Sequence, residues 1–161
     1  MRNKSVWFLV SFALLAACSN EQSGPAPGLD GTSAAAITEK AGTAPVYRFA
    51  KLSNGAYFYT GNLAERDLIL AGYPDFRYQG VAFASVTNGT GKPVYRFANL
   101  ANGGYFYTGS TAERDLVVRD YPHMRFEGST FSVAQDSASD ALPVLRLANL
   151  ANGAYLFTTS R

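Results

Sequence analysis

A sixteen-residue stretch occurs three times in this chain, and that repetition limits the possible folds more than any other feature. Pro45 to Thr60, Pro93 to Thr108 and Pro143 to Thr158 are copies, at offsets of 48 and 50 residues. The first copy matches the second without a gap from Pro45 to Val86, with 24 of 42 positions identical. Self-similarity at such a period marks a repeat architecture, in which no unit buries its apolar face alone and neighbours share a core. The expected repeat domain is 45–161, in units 45–92, 93–142 and a partial 143–161.

Each unit reads as strand, turn, strand, helix, strand. Val46 to Ala50 alternates, with Tyr47 and Phe49 on one side and Val46 and Arg48 on the other. Asn54-Gly55 is a turn signal because both residues tolerate positive φ, and Ala56 to Thr60 is the returning strand. A helix start follows: Ser110 to Glu113 has the capping-box pattern, and Asn62 with Glu65 fills the same places in the first unit. The helices are expected over Leu63–Ala71 and Thr111–Arg119, with Leu68-Ile69-Leu70 and Leu116-Val117-Val118 as their buried sides. Gly72 suits a left-handed close, and Pro74 and Pro122 prevent continuation. Arg77–Val86 and Arg125–Ala134 complete the units as strands with an internal Gly, a bend or bulge.

The third copy reaches Arg161 as a hairpin, with Ser160 where Ser110 caps. A terminal hairpin covering the edge of the unit before it, and a truncated frame, both fit. The fold class expected is mainly β with short helices (α+β). Its tandem ββαβ repeats would form a small pseudo-symmetric domain, propeller-like or trefoil-like, with the last repeat only a hairpin.

Ahead of the repeats the sequence carries an address. Arg2 and Lys4 precede an apolar run, Val6 to Leu15, and the small residues Ala16 and Ala17 precede Cys18. This is the pattern of a secretory signal over 1–17, too short to span a bilayer as a helix. Leu15-Ala16-Ala17-Cys18 resembles the bacterial lipobox. That resemblance implies cleavage before Cys18, acylation there (palmitate among the acyl groups), and retention by lipid in the cell envelope. Ser19, rather than Asp, after the cysteine implies the outer membrane in a cell that has one. Residues 18–44 are Ser-, Gly-, Ala-, Pro- and Thr-rich and read as a flexible tether. Processing also changes the charge. Losing Arg2 and Lys4 leaves twelve basic residues against twelve acidic ones. A nucleic-acid binder needs a basic face, and none clusters here.

The units also carry a family resemblance. Tyr95-Arg96-Phe97, Phe106-Tyr107-Thr108, Ala112-Glu113-Arg114-Asp115 and Glu127-Gly128 resemble a repeat family of unknown function found in secreted bacterial and fungal proteins. Its members often sit as accessory modules beside cell-wall hydrolases or other secreted enzymes. The resemblance covers 45–161 and implies architecture more than activity. Family copies commonly place Asp-His before Phe-Tyr-Thr, whereas this chain has Ala56-Tyr57, Gly104-Tyr105 and Ala154-Tyr155. A role resting on that His does not carry over.

The three copies act as an internal substitution experiment. Tyr47 and Tyr95 become Leu145, Tyr59 and Tyr107 become Phe157, and Phe58 and Phe106 become Leu156, so these positions read as core. Four positions keep their polarity throughout. Asn54, Asn102 and Asn152 serve the turns, while Thr60, Thr108 and Thr158 serve the strand ends. The candidate ligand residues are the others: Arg48, Tyr57, Arg96, Tyr105, Arg146 and Tyr155. The plain structural reading pairs each Arg with Glu65 or Asp67 and their counterparts. The functional reading holds a sugar ring or carboxylate by aromatic stacking plus a forked donor, in two or three equivalent shallow sites.

Catalysis is not expected. Glu65 and Glu113 are explained by capping, and Asp67 and Asp115 by the helix dipole. His123, the one histidine, has no second ligand for a metal, and no cofactor motif or nucleophile elbow occurs. The chain reads as a lipid-anchored envelope protein, membrane-bound through Cys18 and non-enzymatic. Its repeat domain is expected to be a glycan- or peptidoglycan-binding accessory module with cell-wall glycan as partner. A structural or protein-interaction subunit of an envelope assembly is the alternative.

Overall fold

The computed structural model describes residues 7–17, 42–136, 138 and 141–159. Cys18, the tether over 18–41 and Ser160 lie outside them.

Strand β1 is Trp7–Ala17, and the first unit opens with β2, Thr43–Lys51. Successive side chains of a strand point to opposite faces. Val46 therefore enters one core cluster, and Tyr47 and Phe49 another. The chain turns at Asn54-Gly55, with Gly55 at φ 71°, a conformation that is cheap without a Cβ. It returns as β3, Tyr57–Thr60, antiparallel to β2 with Tyr47 opposite Thr60. The Thr60 hydroxyl accepts the Asn62 amide at 2.9 Å, and Asn62 Oδ1 accepts the Glu65 amide at 3.1 Å. These two bonds set the entry to α1, Leu63–Gly72. Strand β4, Phe76–Val86, then lies antiparallel along the other edge of β2. Gly80, at φ 86°, marks the shifted register where the sequence expects a bulge.

The same order follows in β5 (Lys92–Asn99), β6 (Tyr105–Thr108), α2 (Thr111–Asp120) and β7 (Met124–Val133). The third hairpin is β8 (Ala141–Asn149) and β9 (Tyr155–Thr158), with Leu145 opposite Thr158. Three small sheets result, ordered β3-β2-β4, β6-β5-β7 and β1-β8-β9. The apolar run read as a secretory leader runs antiparallel to β8, with Trp7 opposite Asn149 and Ala17 opposite Ala141. It takes beside β8 the edge that β4 and β7 take beside β2 and β5. The described residues are thus mainly β with two short helices and open sheets.

The hairpins share one interior. Val46, Val94 and Val144 are fully buried there with Tyr59, Tyr107 and Phe157, alongside Phe83 and Val133. The three rings Tyr59, Tyr107 and Phe157 stand edge-to-face around one another, with centroids 5.5 to 5.6 Å apart. Smaller clusters lie under the helices. Tyr47, Phe49, Phe58 and Ile69 form one, and Phe97, Phe106 and Val117 the other.

Four expectations change. Only Ile69 and Val117 of the apolar triplets are buried, while Leu68, Leu70, Leu116 and Val118 are exposed. Consecutive helix residues sit about 100° apart, so a short helix on a sheet buries one of three neighbours. Gly72 does not close α1 in the left-handed region. The helix ends instead at Tyr73, φ −126°, whose amide donates to the Ile69 carbonyl, because the residue before Pro74 is held extended. Thr43 and Ala44 belong to β2 rather than to the tether. They pair with Val86 and Ser85, and the Ser85 hydroxyl donates to the Ala44 carbonyl at 2.9 Å. Finally, Glu65 and Glu113 direct their carboxylates to arginines of the following unit rather than back to the cap.

Candidate functional site

The six predicted ligand residues sit where one unit meets the next, and they are not equivalent. Arg96 lies on the face of β5 that carries Val94, and its guanidinium crosses to the helix of the first unit. Glu65 accepts from Nη1 at 3.0 Å and from Nη2 at 2.7 Å, while Glu127 accepts from Nε at 2.7 Å. The guanidinium also stacks on Phe58, 4.6 Å from the ring centre. Arg146 repeats the arrangement one unit on. Glu113 accepts from both of its terminal nitrogens at 3.1 Å, the Tyr107 carbonyl accepts from Nη1 at 3.3 Å, and Phe106 lies 5.1 Å beneath. These side chains are only 11% and 5% exposed, so both ion pairs lie out of bulk water.

The tyrosines follow the same asymmetry. Tyr105 packs edge-on against Phe58 at 4.9 Å, and Tyr155 against Phe106 at 5.5 Å. Each bridges from its own unit to the one before. Burial, followed by the nearby Glu127 charge, raises the Tyr105 hydroxyl above its usual pKa. Arg96 and Arg146, with Tyr105 and Tyr155, are therefore joints between units.

Arg48 and Tyr57 differ. Among the described residues no carboxylate reaches Arg48. Its guanidinium lies 5.9 Å from the Tyr57 ring centre. Where Glu127 serves Arg96, the matching residue of the first unit is Gln79. Where Phe58 and Phe106 receive the neighbouring tyrosine, the third hairpin has Leu156. Tyr57 has no ring-to-ring contact among the described residues and packs half-buried against the shared core.

Tyr59 closes the inner side of this site. Burial pushes its hydroxyl up to about 12, against the lowering effect of its bond to Phe157 and of the Arg48 charge. That hydroxyl accepts the Phe157 amide at 2.9 Å and donates to the Phe157 carbonyl at 3.3 Å. Tyr107 does the same for the backbone of Tyr59, at 2.7 and 3.2 Å.

Other groups weighed from sequence lie apart from this junction. Asp67 and Asp115 are exposed and paired with the adjacent Arg66 and Arg114, each at 2.6 Å. Those arginines stack on Tyr47 and Tyr95 at 4.7 Å. His123 is exposed beside Tyr121. Among the described residues no three His, Cys, Asp or Glu side chains converge to hold a metal, and no helix is long and apolar enough to cross a membrane. A cleft of about 330 Å³ lies between the first two units, walled by Gly61, Gly89, Gly91, Ser85, Thr130 and Phe131 among others, and contains none of the predicted residues.

Sequence reasoning missed that the Arg–Glu pairs run between units. It also missed the turn asparagines: Asn54 Nδ2 donates to the Asn102 carbonyl at 2.7 Å and Asn152 Nδ2 to the Asn54 carbonyl at 3.1 Å. The Gln79-for-Glu127 difference was the readable sign that the copies are not alike.

Compared with known proteins, residues 45–161 match a family model described as a domain of unknown function (DUF5648). No curated protein and no solved structure matches the chain.

Proposed function

The chain belongs to this family of unknown function, DUF5648, and on that premise we propose a non-catalytic envelope lipoprotein whose repeat domain binds glycan or peptidoglycan. Acylation at Cys18, after a cleavage that takes β1 from beside β8, anchors it, with the outer membrane as its site, and residues 18–41 supply reach. The tandem ββαβ units stand about an approximate rotational axis, trefoil-like rather than propeller-like. What supports that arrangement is the ring triangle of Tyr59, Tyr107 and Phe157, one residue from each hairpin.

One observation carries the binding reading. Of three repeated Arg–Tyr pairs, Arg48 with Tyr57 is the one that holds a forked cation beside an aromatic face without a carboxylate of the described chain upon it. A flat sugar or peptide group stacks on such a face while the fork fixes its orientation. The site is then single rather than threefold. Pull-down on purified cell wall tests it: the unmodified chain is retained, and Arg48→Ala and Tyr57→Ala variants are released. Retention unchanged by both substitutions rejects the site.

A second reading, a protein-interaction subunit of an envelope assembly, draws on exposed leucines at one repeated position. Leu52, Leu100 and Leu150 are 56%, 61% and 63% exposed at the three hairpin turns. A protein partner that covers these side chains would take them out of water. Crosslinking in intact cells followed by mass spectrometry separates the readings, and absence of a recurrent protein partner counts against this one.

A further inference from the structure

We propose that Arg48 receives a carboxylate from outside the chain, in the place that Glu65 and Glu113 fill at the other two junctions. The inference rests on the wall-binding reading and names the chemical group this site would grasp. The two filled junctions show the seat: Glu65 takes both terminal nitrogens of Arg96, at 3.0 and 2.7 Å, and Glu113 both of Arg146 at 3.1 Å. The planar guanidinium fork matches a carboxylate oxygen for oxygen, which an ammonium cannot do.

The charge balance at the open junction points the same way. Arg96 has two carboxylates, Glu65 and Glu127, and Arg146 has Glu113. Among the described residues Arg48 meets no carboxylate, and Gln79 stands where Glu127 serves Arg96. A partly buried cation without a counter-charge is costly, and an incoming monoanion relieves that cost. Tyr57 offers its ring to whatever body carries the anion. The ligand class is therefore a single carboxylate on a compact neutral body. A peptide C-terminus and a sugar acid share that chemistry.

The test titrates the full chain with N-acetyl-alanyl-alanine and its amide, and with glucuronate and glucose. The Arg48 Nε–H resonance is followed by ¹⁵N NMR. A saturable shift with at least one acid, absent with its neutral counterpart, is expected, and the responding acid identifies the source. Arg48→Gln should abolish the response, and Arg48→Lys, which keeps charge but loses the fork, should weaken it about tenfold or more. Equal response to acids and neutral counterparts overturns the proposal, as does acid binding that survives Arg48→Gln. Binding of a helical peptide copying 109–121, with no response to small acids, overturns it in favour of an acidic protein segment. Wall pull-down run in parallel keeps the two claims separate. If acids bind through Arg48 while wall retention ignores Arg48→Gln, the wall reading falls and the carboxylate site stands. If retention needs Arg48 but acidic and neutral fragments bind alike, the carboxylate assignment falls alone.

Discussion

Tyr59 shows how far a single hydroxyl can reach in this chain. Because Phe157 occupies the equivalent position, the internal comparison reads Tyr59 and Tyr107 as core positions, where burial is kept and a hydroxyl is not. The burial is as expected, since both rings are essentially inaccessible. The hydroxyls nevertheless tie the backbone of one hairpin to the next, a long-range contact that no local pattern announces. The third hairpin offers no such tie because Phe157 has no hydroxyl. Ionising Tyr59 would place a charge in an apolar interior, which is why burial lifts its pKa from 10.0 to about 12. The unfolded chain releases this proton first as pH rises. The contribution to stability is therefore whole below pH 10 and lost between 10 and about 12. Two pH units correspond to about 3 kcal/mol. Chemical denaturation at stepped pH should show that alkaline loss, and Tyr59→Phe should lessen its slope, leaving the share of Tyr107, whose hydroxyl burial also raises, while lowering stability at neutral pH by roughly 1–3 kcal/mol for the orphaned Phe157 amide. An unchanged alkaline slope in the variant would contradict the assignment.

At the scale of elements, sequence and structure agree where the cause is local. Helix starts are of that kind: Ser110 Oγ accepts the Glu113 amide at 3.2 Å, and Thr108 Oγ1 the Ser110 amide at 3.0 Å. Turn positions and the Gly128 bulge, at φ 92°, are equally local. Agreement stops where tertiary contact decides. Nothing in Leu116-Val117-Val118 says which residue meets the sheet, and α2 turns Val117 inward while its neighbours stay in water. The same holds for Glu113, whose cap-like spacing hid a contact to Arg146, 33 residues away. This separates the roles of Ser110 and Glu113. Ser110→Ala removes the cap alone and should cost about 1 kcal/mol in equilibrium unfolding, with helical circular dichroism retained in the folded baseline. Glu113→Gln should cost more, because it removes the carboxylate that both terminal nitrogens of the buried Arg146 guanidinium share. Equal losses from the two substitutions would return Glu113 to a capping role.

Over the whole molecule, the units are held by a shared interior and by charged joints, and only the interior is evident in the repeat itself. Repetition implies pooled apolar faces, and Val46, Val94 and Val144 do meet in one cluster. It also suggests three equal sites, which the junctions do not provide. Two are closed by Glu65–Arg96 and Glu113–Arg146, and the third presents Arg48 without a carboxylate among the described residues. That difference makes the role of an arginine testable without any ligand. Arg96→Gln strips Glu65 and Glu127 of their partner and should destabilise by several kcal/mol, in the range for breaking a buried pair. Arg48→Gln breaks no ion pair among the described residues and should cost clearly less than Arg96→Gln. Acid adds a signature of its own. Burial alone would raise the Glu65 carboxyl, but hydrogen bonds from Arg96 and Thr60 outweigh it and hold the pKa below the usual 4.5. A depressed carboxylate contributes its stability above the unfolded value, so that share is lost as pH falls from about 4.5 through the lower folded value. Urea midpoints measured across that window should fall for the unmodified chain and fall less steeply for Glu65→Gln. The Glu65→Gln, Arg96→Gln double variant should then be less destabilised than the sum of its parts, since one substitution has already broken the joint. Strict additivity would mean that the first two units are held together by their core alone.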